Sequence, residues 1–204
     1  MLGIGANTVV FAVLNAIVLQ PPNVSDSQSL YQVRHRQWMM GRLLTTSYPA
    51  FEDYRQRNTT FLGMAAIYAY SHALLRYGNT TRHVSGDEVG GNYFDLLGVQ
   101  PLIGRFFHAS DEHGPKSAPY VVLSSALWQS AFQADRGITG RIVQLDKHPF
   151  TVLGVAAPVF HGTERFVWPD YWIPIVNEEE VEGSDYLHNR TPVAVTVIGR
   201  LKPG

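Results

Sequence analysis

The N-terminal stretch differs from the rest of the chain because it is apolar and uncharged. Residues 1–19 carry no charged side chain, and the first formal charge of the chain is Asp26. As a helix rising 1.5 Å per residue, about 19 residues span roughly 28 Å, close to the ~30 Å hydrocarbon core of a bilayer. We therefore expect residues 1–20 to form the outer part of a transmembrane helix, which stops at Pro21 and Pro22.

Two other interpretations of this stretch are open. Its apolar residues cover nearly the whole circumference of a helix, a pattern that membrane helices share with buried core helices. A secretory signal peptide fits less well, because it needs a positively charged start and no Lys or Arg precedes Arg34. The missing basic flank also leaves the orientation of a membrane helix undetermined.

Short periodic segments follow, separated by turn residues. Alternating apolar and polar positions and β-branched or aromatic runs predict strands, and capping residues before helical spacing predict helices. The predicted strands are residues 30–36, 61–77, 80–89, 120–123, 141–145, 150–155, 168–175 and 193–201, and the predicted helices are 48–58, 92–98 and 124–132. Helices placed between hairpins, without regular βαβα alternation, indicate an α+β fold.

Two turns and one acidic segment complete this pattern. Gly78-Asn79 predicts a tight hairpin turn, and residues 146–149 predict a second one. Three consecutive glutamates, residues 178–180, predict a solvated surface run.

Composition excludes several classes of protein. The 16 Lys and Arg against 17 Asp and Glu give a net charge of −1, so a nucleic-acid binder, which needs a basic excess, is disfavoured. Hydrophobic residues make up 45% of the chain and charged residues 16%, which is typical of a globular protein and not of a disordered one. Because the chain has no cysteine, any metal would have to bind through His, Asp or Glu.

The histidines do not form a recognisable metal motif. They are His35, His72, His83, His108, His113, His148, His161 and His188, and no pair has the HExxH spacing. The densest polar cluster, Asp111-Glu112-His113, is interpreted first as a solvated loop tip. The sequence thus predicts no catalytic, cofactor-binding or metal-binding residues and no cofactor.

Serines and paired carboxylates offer no better active site. Ser124 and Ser125 follow a predicted strand, but the glycines of G-x-S-x-G are absent, so helix capping explains them more simply. Asp87 and Glu88 are adjacent on a predicted strand and should therefore point to opposite faces.

Several segments, in an order that covers nearly the whole chain, carry a family resemblance. They are residues 2–8 and 18–21, Ser47-Tyr48-Pro49 with Phe51 and Tyr54, residues 89–99, 104–107, 121–124 and 127–128, Phe132, residues 140–141, 150–155 and 200–204. Together they resemble the MacB-like periplasmic core domain of FtsX-type ABC-transporter permeases, in its duplicated orphan form.

This resemblance implies an architecture and a location. It implies an inner-membrane protein with residues 1–20 as the outer part of its first transmembrane helix and everything after about residue 22 extracytoplasmic. Two mixed α/β subdomains would follow, a porter-like one over 24–104 and 190–204 and an inserted one, named Sabre, over 105–189. Compared with full-length members, the chain resembles a fragment.

The resemblance also implies a function without catalysis. The domain would transmit conformational change across the envelope for export or envelope processes. Implied partners are membrane lipid, a cytoplasmic ABC ATPase subunit, a second permease copy and an envelope protein. The sequence itself contains no phosphate-binding loop for ATP. Two alternatives are a secreted metal-dependent hydrolase using Asp111, Glu112, His113 and a distant His161, and an envelope ligand-binding module.

Overall fold

The computed structural model of the chain describes residues 24–33, 35–36, 43–44, 46–163, 167–181, 183, 185–191 and 194–203. The predicted transmembrane helix over residues 1–20 lies outside these ranges. Among the helices that are described, none combines the length and hydrophobicity that a membrane crossing requires.

Short elements make up most of this part of the chain. The strands are β1 Leu30–Val33, β2 His35–Arg36, β3 Leu43–Leu44, β4 Phe61–Tyr77, β5 Thr80–Val89, β6 Pro101–Gly104, β7 Tyr120–Leu123, β8 Ile142–Leu145, β9 His148–Ala156, β10 Tyr171–Pro174 and β11 Thr196–Leu201. The α-helices are α1 Tyr48–Gln56, α2 Tyr93–Leu97, α3 Ser125–Phe132 and α4 Glu178–Val181, with 3-10 turns at Ser27–Ser29, Ala109–Asp111 and Ile175–Asn177. The predicted mixture of helices and hairpins is confirmed.

One mixed sheet contains most of the described strands. Its order is β1-β11-β4-β5-β10-β7-β9-β6, and β8 pairs with both β4 and β9. Strands β4, β5, β10, β7, β9 and β8 therefore close into a ring. The side chains of β8 alternate between the two faces of the ring. Val143 and Leu145 are buried inside it, whereas Ile142 and Gln144 are exposed outside it.

A buried cluster fills this ring and includes side chains from all six strands and from α3. Its members include Leu75, Val84, Leu123, Leu127, Trp128, Val143, Phe150, Tyr171 and Ile173. The first half of β4, by contrast, pairs with β11 and packs against two other clusters, one around α2 and one around α1. The first half of β4 therefore belongs to the region that contains β11, α1 and α2, and its second half belongs to the ring.

The two predicted hairpin turns have different outcomes. Gly78-Asn79 joins β4 and β5 as predicted, with Tyr77 paired to Thr80 and a positive φ of 55° at Gly78. The second turn is shorter than the four residues predicted. Asp146 and Lys147 adopt positive φ angles of 46° and 77°, so two residues reverse the chain and His148 already pairs with Leu145.

Other boundaries shift for local reasons. α1 stops at Gln56 instead of Asn58, because the Asn58 side-chain oxygen accepts hydrogen bonds from the amides of Thr60 and Phe61, at 3.0 and 2.8 Å. The predicted strand 30–36 is divided: β1 pairs with β11, whereas β2 pairs with β3.

Candidate functional site at the junction of the two terminal segments

Antiparallel pairing of β1 and β11 brings the two terminal segments of the described chain together. Leu30 pairs with Arg200 and Val33 with Val197. Residues before Leu30 and residues after Leu201 therefore lie at the same end of this strand pair. We call residues 24–29, 96–99 and 200–202 the terminal junction.

Arg200 holds the terminal junction together. Its Nη1 donates to the carbonyl oxygen of Asp26 at 2.8 Å and to Oγ of Ser29 at 2.7 Å, and Nη2 donates to the carbonyl oxygen of Ser25 at 2.8 Å. Its Nε donates to the carbonyl oxygen of Leu96 at 2.9 Å. A guanidinium presents several donors in a rigid fork, and hydrogen bonds from a charged donor are stronger than neutral ones. Arg200 thus joins β11, α2 and the segment that precedes β1.

Gly98 permits the segment before β1 to approach α2. It closes α2 in a left-handed conformation with φ 66°, as predicted. The Ser25 amide donates to the Leu97 carbonyl oxygen at 3.1 Å, and Oγ of Ser25 donates to the Gly98 carbonyl oxygen at 2.8 Å. A Cβ at Gly98 would lie 2.9 Å from Cβ of Ser25, so the contact requires glycine for both its conformation and its size.

The segment after β11 is attached as well. The Lys202 amide donates to the Thr60 carbonyl oxygen at 3.1 Å, and its Nζ donates to the Thr59 carbonyl oxygen at 2.7 Å. Both terminal segments are therefore attached to the folded domain by hydrogen bonds to backbone carbonyl oxygens.

A surface cleft opens beside the junction. Its volume is about 400 Å³, and three segments line it: Val24 with Ser25, residues 98–100, and Ala157, Val159 and Phe160. The last of these segments belongs to the connection between β9 and β10.

The residues of the alternative metal-dependent site have separate roles. Asp111 accepts from Arg105 at 2.7 and 3.0 Å and from the His108 amide at 2.9 Å, and the hydrogen bonds from Arg105 keep its pKa below the usual value. His161 stacks on Trp168 instead, at 3.8 Å between ring centroids, and burial lowers its pKa. Within the described ranges, no three potential metal-ligating side chains come together.

Glu112 contradicts the prediction of a solvated loop tip. Its Oε1 is shielded from solvent, and a Cβ at Gly91 would lie 2.8 Å from the Glu112 Cδ. The pKa of Glu112 is raised to about 7, chiefly by burial and further by the negative charges of Glu52 and Asp111. A hydrogen bond from the Gly91 amide and the nearby positive charge of Arg55 act in the opposite direction. The spacing of residues in the sequence could not reveal the burial of Glu112, because the carboxylate fits only where position 91 has no side chain.

Other predicted polar residues are also part of the structure. Asp87 and Glu88 contact different groups, as expected for opposite faces: Asp87 accepts from the Tyr70 amide at 3.4 Å and Glu88 from the Tyr186 hydroxyl at 2.6 Å. Ser124 caps α3 as predicted, accepting from the Leu127 amide at 3.1 Å. The prediction that residues 178–180 form a solvated surface run is wrong for Glu178. This residue is buried, and its Oε1 accepts a hydrogen bond from the Tyr186 amide at 3.0 Å.

The sequence did not predict that Arg200 organises the junction. One feature of the sequence could have indicated this role, since Arg200 is the single charged residue in segment 193–201. Its partners are 104 to 175 residues away and are mostly backbone carbonyl oxygens, which no motif records.

Comparison with known proteins matches this chain to one family. A family model for the MacB-like periplasmic core domain matches residues 1–204. The macrolide export ATP-binding/permease protein MacB of Salmonella paratyphi A is 28% identical over 120 residues, which is 57% of this chain and 18% of that protein. The chain therefore spans less than a fifth of the length of this relative.

Solved structures share the fold. The periplasmic region of MacB from Actinobacillus actinomycetemcomitans has a TM-score of 0.62 at 15% identity, covering 87% of this chain and 78% of that chain. The extracellular domain of the noncanonic ABC-type transporter YknZ from Gram-positive bacteria has a TM-score of 0.57 at 14% identity, covering 85% of this chain and 82% of that chain.

Proposed function

This chain belongs to the family of MacB-like periplasmic core domains, and from that premise we propose that it transmits conformational change between a membrane-embedded permease and the envelope. The family consists of ABC-transporter permease domains and is not a class of enzymes, and its location is extracytoplasmic. The observation that carries the proposal is the set of hydrogen bonds by which Arg200 joins both terminal segments.

Transmission of motion requires a stiff connection between membrane segments and the folded domain. A flexible linker would absorb a displacement before it reached the sheet. At the terminal junction, Arg200 binds the backbone of Ser25 and Asp26, and Lys202 binds the backbone of Thr59 and Thr60. A displacement of either terminal segment would therefore move β11, and β4 next to it, as one body.

We further propose the assembly in which this would operate. Residues 1–20 would lie in membrane lipid as the outer part of a first transmembrane helix, a separate cytoplasmic ABC ATPase would supply the motion, and a second permease copy and an envelope protein would be partners. Residues 24–104 with 190–204 would form a porter-like subdomain, and residues 105–189 the inserted one. Ring closure through β8 would join the inserted part rigidly to β4 and β5 of the porter-like subdomain.

A nitroxide label at Ile142, which is exposed on β8, tests the proposal. The permease that contains this chain is placed in membranes with its ATPase, and electron resonance gives the distance between labels on two copies. We expect this distance to change when ATP and vanadate trap the ATPase. An unchanged distance while ATP is hydrolysed contradicts the proposal.

Arg200→Ala tests the role of the junction within the same assay. We expect this variant to keep ATP hydrolysis and to lose most of the distance change. Arg200→Lys, which keeps the charge but has fewer directed donors, is the matched control and should retain part of the change.

A further inference from the structure

The connection between β9 and β10 exposes three apolar side chains, two of them consecutive in the sequence. Val159 is 59% exposed, Val167 43% and Trp168 61%. Single exposed apolar residues are common on protein surfaces, but neighbouring ones that include a tryptophan mark interaction sites more often. We call these three residues the apolar knob.

Contacts within the connection bring its two halves together. The His161 ring stacks on Trp168 with 9° between the ring planes, and a Cβ at Gly162 would lie 3.6 Å from Cγ of Pro169. His161 and Gly162 are thus adjacent to Trp168 and Pro169, and Val159 lies two residues before His161. Burial lowers the pKa of His161, which disfavours the charged form of this ring.

Phe160 attaches the knob to the hydrophobic core. Phe160 and Trp172 are both buried, with ring centroids 5.3 Å apart, and Phe160 also contacts Tyr93 at 6.4 Å. Because Phe160 is flanked in the sequence by Val159 and His161, the hydrophobic core anchors this end of the connection.

The position of the knob close to the N-terminal stretch indicates which partner it contacts. Val159 and Phe160 share a cleft with Val24 and Ser25. Val24 is only four residues beyond the uncharged stretch 1–20, a distance of at most about 14 Å in extended chain. If residues 1–20 are in lipid, the headgroup layer lies within that distance of the cleft and the knob beside it.

We propose that Val159, Val167 and Trp168 insert into the headgroup region of the membrane beside the point where the chain leaves it. This inference rests on the proposed function, because it requires residues 1–20 to be embedded in lipid. Tryptophan is enriched at membrane–water interfaces, where its ring has an apolar body and a polar N–H group, and two valines extend the apolar area. The knob would fix the height and tilt of the domain above the bilayer.

The absence of cysteine allows this to be tested with single labels. Val159→Cys and Trp168→Cys carry a nitroxide in the full chain, reconstituted in phosphatidylcholine–phosphatidylglycerol vesicles. Ile142→Cys is the matched control, because Ile142 is 62% exposed against 61% for Trp168 but lies on β8. Val13→Cys reports on the N-terminal stretch.

Relaxation by oxygen, which partitions into lipid, is compared with relaxation by a water-soluble nickel chelate. We expect the oxygen-to-nickel accessibility ratio at 159 and 168 to be several-fold higher than at 142 and to approach the ratio at 13. A ratio at 159 and 168 equal to that at 142, with 13 in lipid, overturns the inference and leaves the proposed function intact. If 13 is also in water, the proposed function fails too.

Two further results complete the test. Low accessibility to both reagents at 159 and 168, in vesicles and in detergent alike, would show a protein contact and overturn the inference. Trp168→Phe needs no label: brominated lipids should quench the tryptophan fluorescence of the unsubstituted chain more than that of this variant. Equal quenching of the two chains contradicts membrane contact.

Discussion

The hydroxyl of Tyr186 donates a 2.6 Å hydrogen bond to Oε2 of Glu88, and both residues are buried. Burial, followed by the nearby Glu88, raises the pKa of Tyr186 far above its ordinary value, so the phenol keeps its proton and remains a donor. The Tyr186 amide also binds Glu178, and its ring stacks on Tyr68 at 4.7 Å. Tyr186 therefore links the segment after α4 to β4 and β5.

Tyr186→Phe should destabilise the chain by about 1–3 kcal/mol, because a buried carboxylate oxygen loses its donor while the ring packing is kept. Urea unfolding of the full chain measures this. Tyr54→Phe, at an exposed position of α1, is the control and should change the free energy of unfolding by less than about 0.5 kcal/mol. Equal effects of the two substitutions would show that the buried hydrogen bond contributes nothing.

Glu112 should make stability depend on pH. Its pKa is about 7 in the folded chain against 4.5 for an ordinary glutamate. The folded state therefore binds the Glu112 proton more tightly than the unfolded state does. This difference stabilises the folded chain fully below about pH 4.5, and the stabilisation is lost as the pH rises to 7. At ~1.4 kcal/mol per pKa unit, the loss is about 3 kcal/mol. The groups that face Glu112 are Arg55, Glu52, Asp111, Tyr48 and the Gly91 amide.

Glu112→Gln should remove this slope between pH 5 and 7.5, since glutamine does not titrate but can still accept from the Gly91 amide. Urea unfolding at several pH values gives the slope. Glu179→Gln is the control, because Glu179 is exposed and paired with Lys116. A slope that persists unchanged in Glu112→Gln assigns the pH dependence to another group.

Gly98→Ala should destabilise the terminal junction more than the same change at a glycine in open space. Both Gly98 and Gly78 have positive φ, at 66° and 55°, which costs alanine about 1–2 kcal/mol. An added Cβ meets Ser25 at Gly98 but nothing within 4 Å at Gly78. Gly78→Ala is therefore the control for backbone strain. Faster hydrogen exchange of the Ser25 amide should occur in Gly98→Ala alone, and equal exchange in both variants would exclude a specific contact.

Lys147→Gly should stabilise the turn between β8 and β9 by up to about 1 kcal/mol. Lys147 has a φ of 77°, which glycine adopts without strain, although glycine also loses more freedom on folding. Lys147→Ala removes the same side chain but keeps the strain, so it should give no gain. Thermal unfolding of both variants compares them, and a gain in the alanine variant would point to the side chain instead of the backbone.

Features that depend on neighbouring residues could be predicted from the sequence. Gly78-Asn79 reverses the chain and Ser124 caps α3, because each depends on the chemistry of two to four consecutive residues. The family resemblance is also confirmed, because the family match extends over residues 1–204.

Features that depend on distant residues could not be predicted. Closure of the ring needs Leu145 of β8 to pair with Leu75 of β4, seventy residues earlier. The burial of Glu112 depends on Gly91, and the role of Arg200 depends on carbonyl oxygens near residue 25. Side-chain type alone carries no information about such partners, since an arginine or glutamate in a strand or loop is usually solvated.

The central claim is that Arg200 ties the segment before β1 rigidly to the sheet. Spin labels at Gln28→Cys and Ile142→Cys in the full chain in bilayers measure it, since both positions are exposed and no other cysteine is present. A second pair, Leu62→Cys and Ile142→Cys, reports that the sheet stays folded in each variant.

We predict one narrow distance distribution for the 28–142 pair in the unsubstituted background, an intermediate width in Arg200→Lys and a broad distribution in Arg200→Ala, while the 62–142 pair stays narrow throughout. A 28–142 distribution that is equally narrow in Arg200→Ala would contradict the account, because the terminal segment would then be held without Arg200.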